Sequence, residues 1–175
     1  MQAHHPQRGL SLIEAAVVVA IIATAATAAA PSLGRLIDHR RLEAGASQLA
    51  ADLQLARNES IARNRVVRVS WQAAANCYVV HTGAADQCTC AADGSGHCAA
   101  GGSLLRSVGW TAADRIAVQS NSASIAFDPQ HGTATPSATW RVAASDGRAI
   151  HHVVNVMGRV RSCSPLASVP GYRAC

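Results

Sequence analysis

The hydrophobic period of the chain changes twice. Residues 10–30, LSLIEAAVVVAIIATAATAAA, are apolar on every side, with Glu14 as the one charge. At about 1.5 Å per residue, a helix of that length crosses the hydrocarbon core of a bilayer. Beyond Pro31, Leu42, Ala46, Leu49, Leu53, Ala56 and Ser60 recur every three or four residues, and Arg40, Arg41, Arg57 and Arg63 lie off that stripe. This is the pattern of an amphipathic helix with one buried face. One long helix is therefore predicted to end near Asn64, its first half suited to lipid and its second half packed on a domain. At RVVRVSW, residues 65–71, the period drops to two and β-branched residues take over. Further strand-like runs follow at 77–81, 104–108, 115–119, 123–127, 139–143 and 149–156, separated by Gly, Asp, Asn and Pro. One helix followed by several short strands predicts an α+β fold, an antiparallel sheet packed on the helix. The Gly- and Ala-rich segment 84–102 reads as a loop held by its cysteines.

Glu14 needs a reason, because an acid within an apolar span costs on the order of 2 to 3 kcal/mol. A cleavable secretion signal would have a basic Arg8, an apolar stretch and small residues at Ala28, Ala29 and Ala30. It gains nothing from Glu14, and cleavage after Ala30 would leave Pro31 at the new N-terminus. Cleavage after Gly9 accounts for the acid better. The new amine of Leu10 is a cation beside apolar helix, and Glu14, one turn away, neutralises it within a chain or between chains packed side by side.

Gly9 followed by Leu10-Ser11-Leu12-Ile13-Glu14 resembles the class III leader of type IV pilins and type II secretion pseudopilins. The resemblance implies that a prepilin peptidase of the inner membrane cuts after Gly9 and methylates Leu10, and that Glu14 serves assembly with other pilin subunits. Pro31 falls where many pilins carry a helix-bending proline; Leu10 replaces the commoner phenylalanine. The expected organisation is a leader (1–9), a transmembrane and filament-core half-helix (10–30), an amphipathic half-helix (31–64) and a β-rich globular domain (65–175). The expected location is the inner membrane of a Gram-negative bacterium, with a periplasmic domain later carried into a pilus.

Composition adds two points. All 15 basic residues are arginine, a bias that high genomic GC content also produces. The formal charge of +5 falls to +4 without Arg8, too mild to predict a partner by itself. Six cysteines, Cys77, Cys88, Cys90, Cys98, Cys163 and Cys175, form an even set, read as disulfide staples in an oxidising compartment. Cys88 and Cys90 are too close to bridge each other comfortably, so each is expected to pair with Cys77 or Cys98, in an order that spacing leaves open. A Cys163–Cys175 bridge would close a loop of about a dozen residues and contribute about 3 kcal/mol to order in the tail. A zinc site from Cys88, Cys90, His97 and Cys98 is the competing reading, but Cys-x-Cys lacks the usual spacer. No metal and no cofactor is expected.

The order of long helix, ARNESIARNRVVRV, strands and a final Gly-Arg turn is similar to the FimT/GspH branch of minor pilins and pseudopilins. Within it, Gly158-Arg159-Val160-Arg161 resembles the G-R-x-R motif of FimT proteins, which implies capture of DNA during natural transformation. The residues support this physically. In an extended segment Arg159 and Arg161 point to one side about 6.5 to 7 Å apart, close to the step between phosphates along one strand of duplex DNA. Gly158 lets the backbone turn or approach a ligand closely. From Gly147 to Cys175 there are four arginines, Arg148, Arg159, Arg161 and Arg173, and no acid. The plainer alternatives are a solvated basic edge, and a structural subunit that primes pilus assembly or serves type II secretion without binding DNA.

No enzymatic activity is expected. The chain has no Gly-x-Ser-x-Gly elbow, no His-Glu-x-x-His and no phosphate loop. His151 and His152 are neighbours in a predicted strand and face opposite ways, so they cannot share a metal. One is expected in the core and the other at the surface. Trp71, Trp110 and Trp140 are read as packing residues rather than platforms for bases.

Overall fold

A computed structural model describes residues 11–175; Gly9 and Leu10 lie outside the described residues. Helix α1 runs Leu12–Ala62. Eleven strands follow: β1 (Val67–Gln72), β2 (Cys77–Thr82), β3 (Cys88–Cys90), β4 (Gly96–Cys98), β5 (Ser103–Gly109), β6 (Ile116–Ser120), β7 (Ser124–Phe127), β8 (Ala134–Thr135), β9 (Ala138–Ala144), β10 (Ala149–Val154) and β11 (Val160–Cys163). They form two antiparallel sheets, in the orders β5-β2-β1-β7-β8 and β11-β10-β9-β6, and a small β3-β4 ribbon.

The chain divides into two units, residues 1–37 and 38–175. In the first, Ser11 caps α1: its Oγ accepts the Glu14 backbone N–H at 3.2 Å. Leu12, Ile13, Val19, Ile21 and Ile22 are exposed around this stretch, which by length and composition can cross a membrane. The helix continues through position 31 without interruption.

In the second unit, the stripe Leu42, Ala46, Leu49, Leu53, Ala56 and Ser60 has no exposed surface. It packs into one core with Tyr78, Phe127, Trp140 and Ile150 from both sheets. Tyr78 meets Trp140 edge-on at 6.1 Å and Trp110 at 5.7 Å, so two of the tryptophans are packing residues. Asp52 also faces inward. It accepts from the Tyr78 hydroxyl at 2.7 Å and from Gln48 Nε2 at 2.9 Å, and Arg106 lies 3.4 Å away. Burial and this carboxylate raise the Tyr78 pKa above its ordinary value.

Segment 84–102, expected as a loop, contains the β3–β4 ribbon. Disulfides join Cys77 to Cys90 and Cys88 to Cys98, and a third joins Cys163 to Cys175. Cys88 and Cys98 are directly opposed in the ribbon, so the bridge pins strands too short to show a hydrophobic period. Cys88, Cys90 and Cys98 are thereby consumed, which leaves the zinc reading no thiolate.

Candidate nucleic-acid interface

The tail arginines depend on the β10–β11 hairpin. Val153 opposes Arg161 and Val154 opposes Val160. Val160 packs against the core, so the alternation of an extended chain directs Arg159 and Arg161 outward together. Both are exposed, at the free edge of the second sheet. The hairpin turn closes through Gly158 N–H to Asn155 O at 2.9 Å and Arg159 N–H to Asn155 Oδ1 at 2.9 Å.

Gly158 has φ +70° and is buried. A Cβ there would collide with the Gly132 carbonyl oxygen and press on the Arg57 side chain. Of the two expected uses of this glycine, the turn is present, and the close approach is to the protein's own backbone. The seat is built from α1: Arg57 Nε donates to Gly132 O at 2.9 Å. Ala134 N–H donates to Val156 O at 2.9 Å and ties the turn to the adjoining loop.

Arg173 joins the same region by a different route. Ser164 N–H donates to Arg173 O at 2.8 Å, Cys175 N–H donates to Ser164 O at 3.2 Å, and the Cys163–Cys175 disulfide closes the loop between them. Arg161 and Arg173 line one open concavity of about 660 Å³ beside that disulfide. Among the described residues, no carboxylate pairs with Arg159, Arg161 or Arg173.

Arg148 does not belong to this group. It sits on the β9–β10 turn, about 17 Å along the strand from the level of Arg161. Its guanidinium is engaged by Asp146 at 2.7 and 2.6 Å, and it donates to His39 Nδ1 at 3.2 Å. The acid-free count from Gly147 onward missed this ion pair because Asp146 lies one residue before the window. Asp146 is in turn held below the usual carboxylate range, chiefly by its hydrogen bond from Arg148.

The comparisons with known proteins agree with this architecture. The family profile described as "Type II transport protein GspH" matches residues 45–158, about two thirds of the chain. The chain belongs to the GspH family. The prokaryotic N-terminal methylation motif matches residues 4–30. Among solved structures, the Pseudomonas aeruginosa type IV minor pilin FimU is similar with a TM-score of 0.54 and 20% identity, over 76% of this chain and 95% of that one. The Vibrio cholerae minor pseudopilin EpsH of the Type 2 Secretion System is similar with a TM-score of 0.53 and 11% identity, over 71% and 98%. No curated protein matches at a significant level.

As a GspH-family member, the protein is a minor pilin or pseudopilin, anchored in the inner membrane by its N-terminal helix, with a periplasmic domain that enters the fibre. Such subunits are structural rather than enzymatic. Two arginines of this GspH-family domain escaped the sequence reading. Arg57, off the apolar stripe, supports the hairpin turn. Arg141 opposes His151, which opposes Cys163, so it lies on the same outer sheet face as Arg161. Burial, followed by the Arg141 charge, lowers the His151 pKa. His152 faces the core, and burial lowers its pKa to about 4. Neither cation could be placed beforehand, because strand register is not written in local spacing.

Proposed function

We propose that the protein is a minor type IV pilin that binds duplex DNA by its phosphate backbone, without sequence readout, and supports DNA uptake in natural transformation. The observation that carries this reading is the cluster of Arg159, Arg161 and Arg173 at one sheet edge, exposed and, among the described residues, unpaired with any carboxylate. Arg148 is left out of the interface because Asp146 holds it. Exposed guanidiniums on a rigid hairpin contact phosphates without reading base edges. In the same reading, prepilin peptidase cuts between Gly9 and Leu10, and Glu14 pairs with the new amine to set the subunit's register among its neighbours.

Three phosphate contacts give log affinity against log salt a slope of about −2.7. Such binding is weak for one subunit, and several subunits on one pilus gain avidity along a single DNA molecule. The test is fluorescence anisotropy of a labelled duplex with the full chain in non-ionic detergent, across a salt series. Changing Arg159 and Arg161 together to Gln should remove about 1.8 of that slope and leave the circular dichroism spectrum unchanged. A double variant that binds as well as the wild type, or a wild type that binds nothing in low salt, refutes the reading. The protein is then a structural subunit of a pilus or a secretion pseudopilus, the alternative favoured by its likeness to FimU and EpsH.

A further inference from the structure

Beside the hairpin turn lies a second, smaller concavity of about 230 Å³. It is lined by Gln54, Arg57 and Asn58 from α1 and by Gly158, Arg159 and Val160 from the hairpin. Two arginines from separate elements, Arg57 and Arg159, therefore border one opening. Arg57 spends Nε on the Gly132 carbonyl, and its two Nη groups make no hydrogen bond among the described residues. Neither Arg57 nor Arg159 forms an ion pair there. The other polar side chains of the lining are the amides of Gln54 and Asn58, and the lining has no acid. Like charges brought together without a counter-charge repel, and a bound anion removes the repulsion. Guanidinium groups suit an oxyanion, because their planar forks donate two parallel hydrogen bonds to it.

We propose that this notch holds one backbone phosphate of DNA between Arg57 and Arg159, with donors from Asn58 and Gln54. The inference rests on the DNA-binding reading above and extends it from the sheet edge onto the helix. Arg161 then meets the neighbouring phosphate of the same strand, one extended-chain step of about 6.5 to 7 Å further on. Gly158 contributes by having no side chain: its backbone floors the notch, and its docking on Gly132 holds the helix and hairpin arginines in one place. Counting Arg57, the contacts rise from three to four, and the salt slope of the wild type becomes about −3.6 rather than −2.7.

Arg57→Gln would also remove the hydrogen bond to Gly132, so it is a poor probe. Asn58→Asp is the informative change, because Asn58 is exposed and the substitution adds a carboxylate to the notch while keeping the side chain's shape. Ser47→Asp, exposed three turns away on the same helix, carries an equal change in net charge and serves as the control. In anisotropy titrations of the full chain in detergent with a 20-base-pair duplex, Asn58→Asp should make the slope shallower by about 0.9, and Ser47→Asp should leave it unchanged. The Nε–H resonances of Arg57 and Arg159 should shift together on adding the duplex. If Asn58→Asp binds like the wild type while the Arg159 and Arg161 double variant loses affinity, the notch is overturned and the edge reading stands. If both aspartate variants weaken binding equally, the effect is overall charge and the notch is again overturned. A wild type that binds no duplex overturns both readings. Loss of pilus incorporation in Asn58→Asp with unchanged DNA binding would overturn the phosphate assignment in favour of a contact between subunits.

Discussion

Lowering the pH from 7.5 to 4.5 should destabilise the periplasmic domain through His152. The ring has almost no exposed surface, and its Nδ1 lies 2.8 Å from Ser162 Oγ. Its Nε2 makes no hydrogen bond, and the nearby Ala46 backbone offsets the cost of burying a second ring proton only in part. Burial lowers the folded-state pKa to about 4, and the neighbouring His151 pushes the same way. The unfolded chain titrates near the ordinary value of about 6.5 and binds more protons than the folded one throughout the interval. Stability is therefore fully present above about pH 6.5 and is lost as the pH falls towards 4. Linkage for one such group amounts to about 2.5 kcal/mol between pH 7.5 and 4.5. His81, also shifted down chiefly by burial, adds in the same direction. The carboxylates of Asp93, Asp114, Asp128 and Asp146 are shifted below their ordinary value. Their stabilisation is lost only below about pH 3.8, outside the interval. The assay is urea unfolding of a fragment beginning at Arg35, followed by tryptophan fluorescence, for wild type and His152→Leu at four pH values. The variant should be less sensitive to acid by about 2.5 kcal/mol over that range. Equal pH dependence of the two proteins would refute the argument.

Gly158→Ala should cost about 2 kcal/mol or more, because a Cβ at φ +70° is strained and meets the Gly132 carbonyl; thermal unfolding measures it, and a loss under about 0.5 kcal/mol would show that the turn relaxes freely. Glu14→Ala should leave the protein in the inner membrane but absent from sheared fibres, and intact mass of the wild type should begin at Leu10 with one added methyl group. Normal incorporation of the Glu14 variant would remove the acid's role in assembly.

Much of the architecture was legible from local pattern. The stripe from Leu42 to Ser60 predicted which face of α1 is buried, because helical period and burial are the same fact seen from sequence and from packing. The seven strand-like runs lie on strands for a related reason, since alternation survives wherever one face is covered. The pieces that were missed are short or irregular. β3, β4, β8 and β11 have two to four residues each, too few to show a period, and the ribbon's register comes from the Cys88–Cys98 bridge.

For the candidate interface, sequence by itself determined its chemistry: an arginine pair two residues apart after a glycine, in a stretch poor in acids. Tertiary structure decided the membership. It removed Arg148, which Asp146 and His39 engage at the far end of β10. It brought in Arg57 across 101 residues of chain to share a notch with Gly158 and Arg159, and set Arg141 on the same sheet face as Arg161. Charge is a property of each residue and can be read from the chain. Which charges share a surface depends on strand register and helix docking, and those are settled by contacts between residues far apart in sequence.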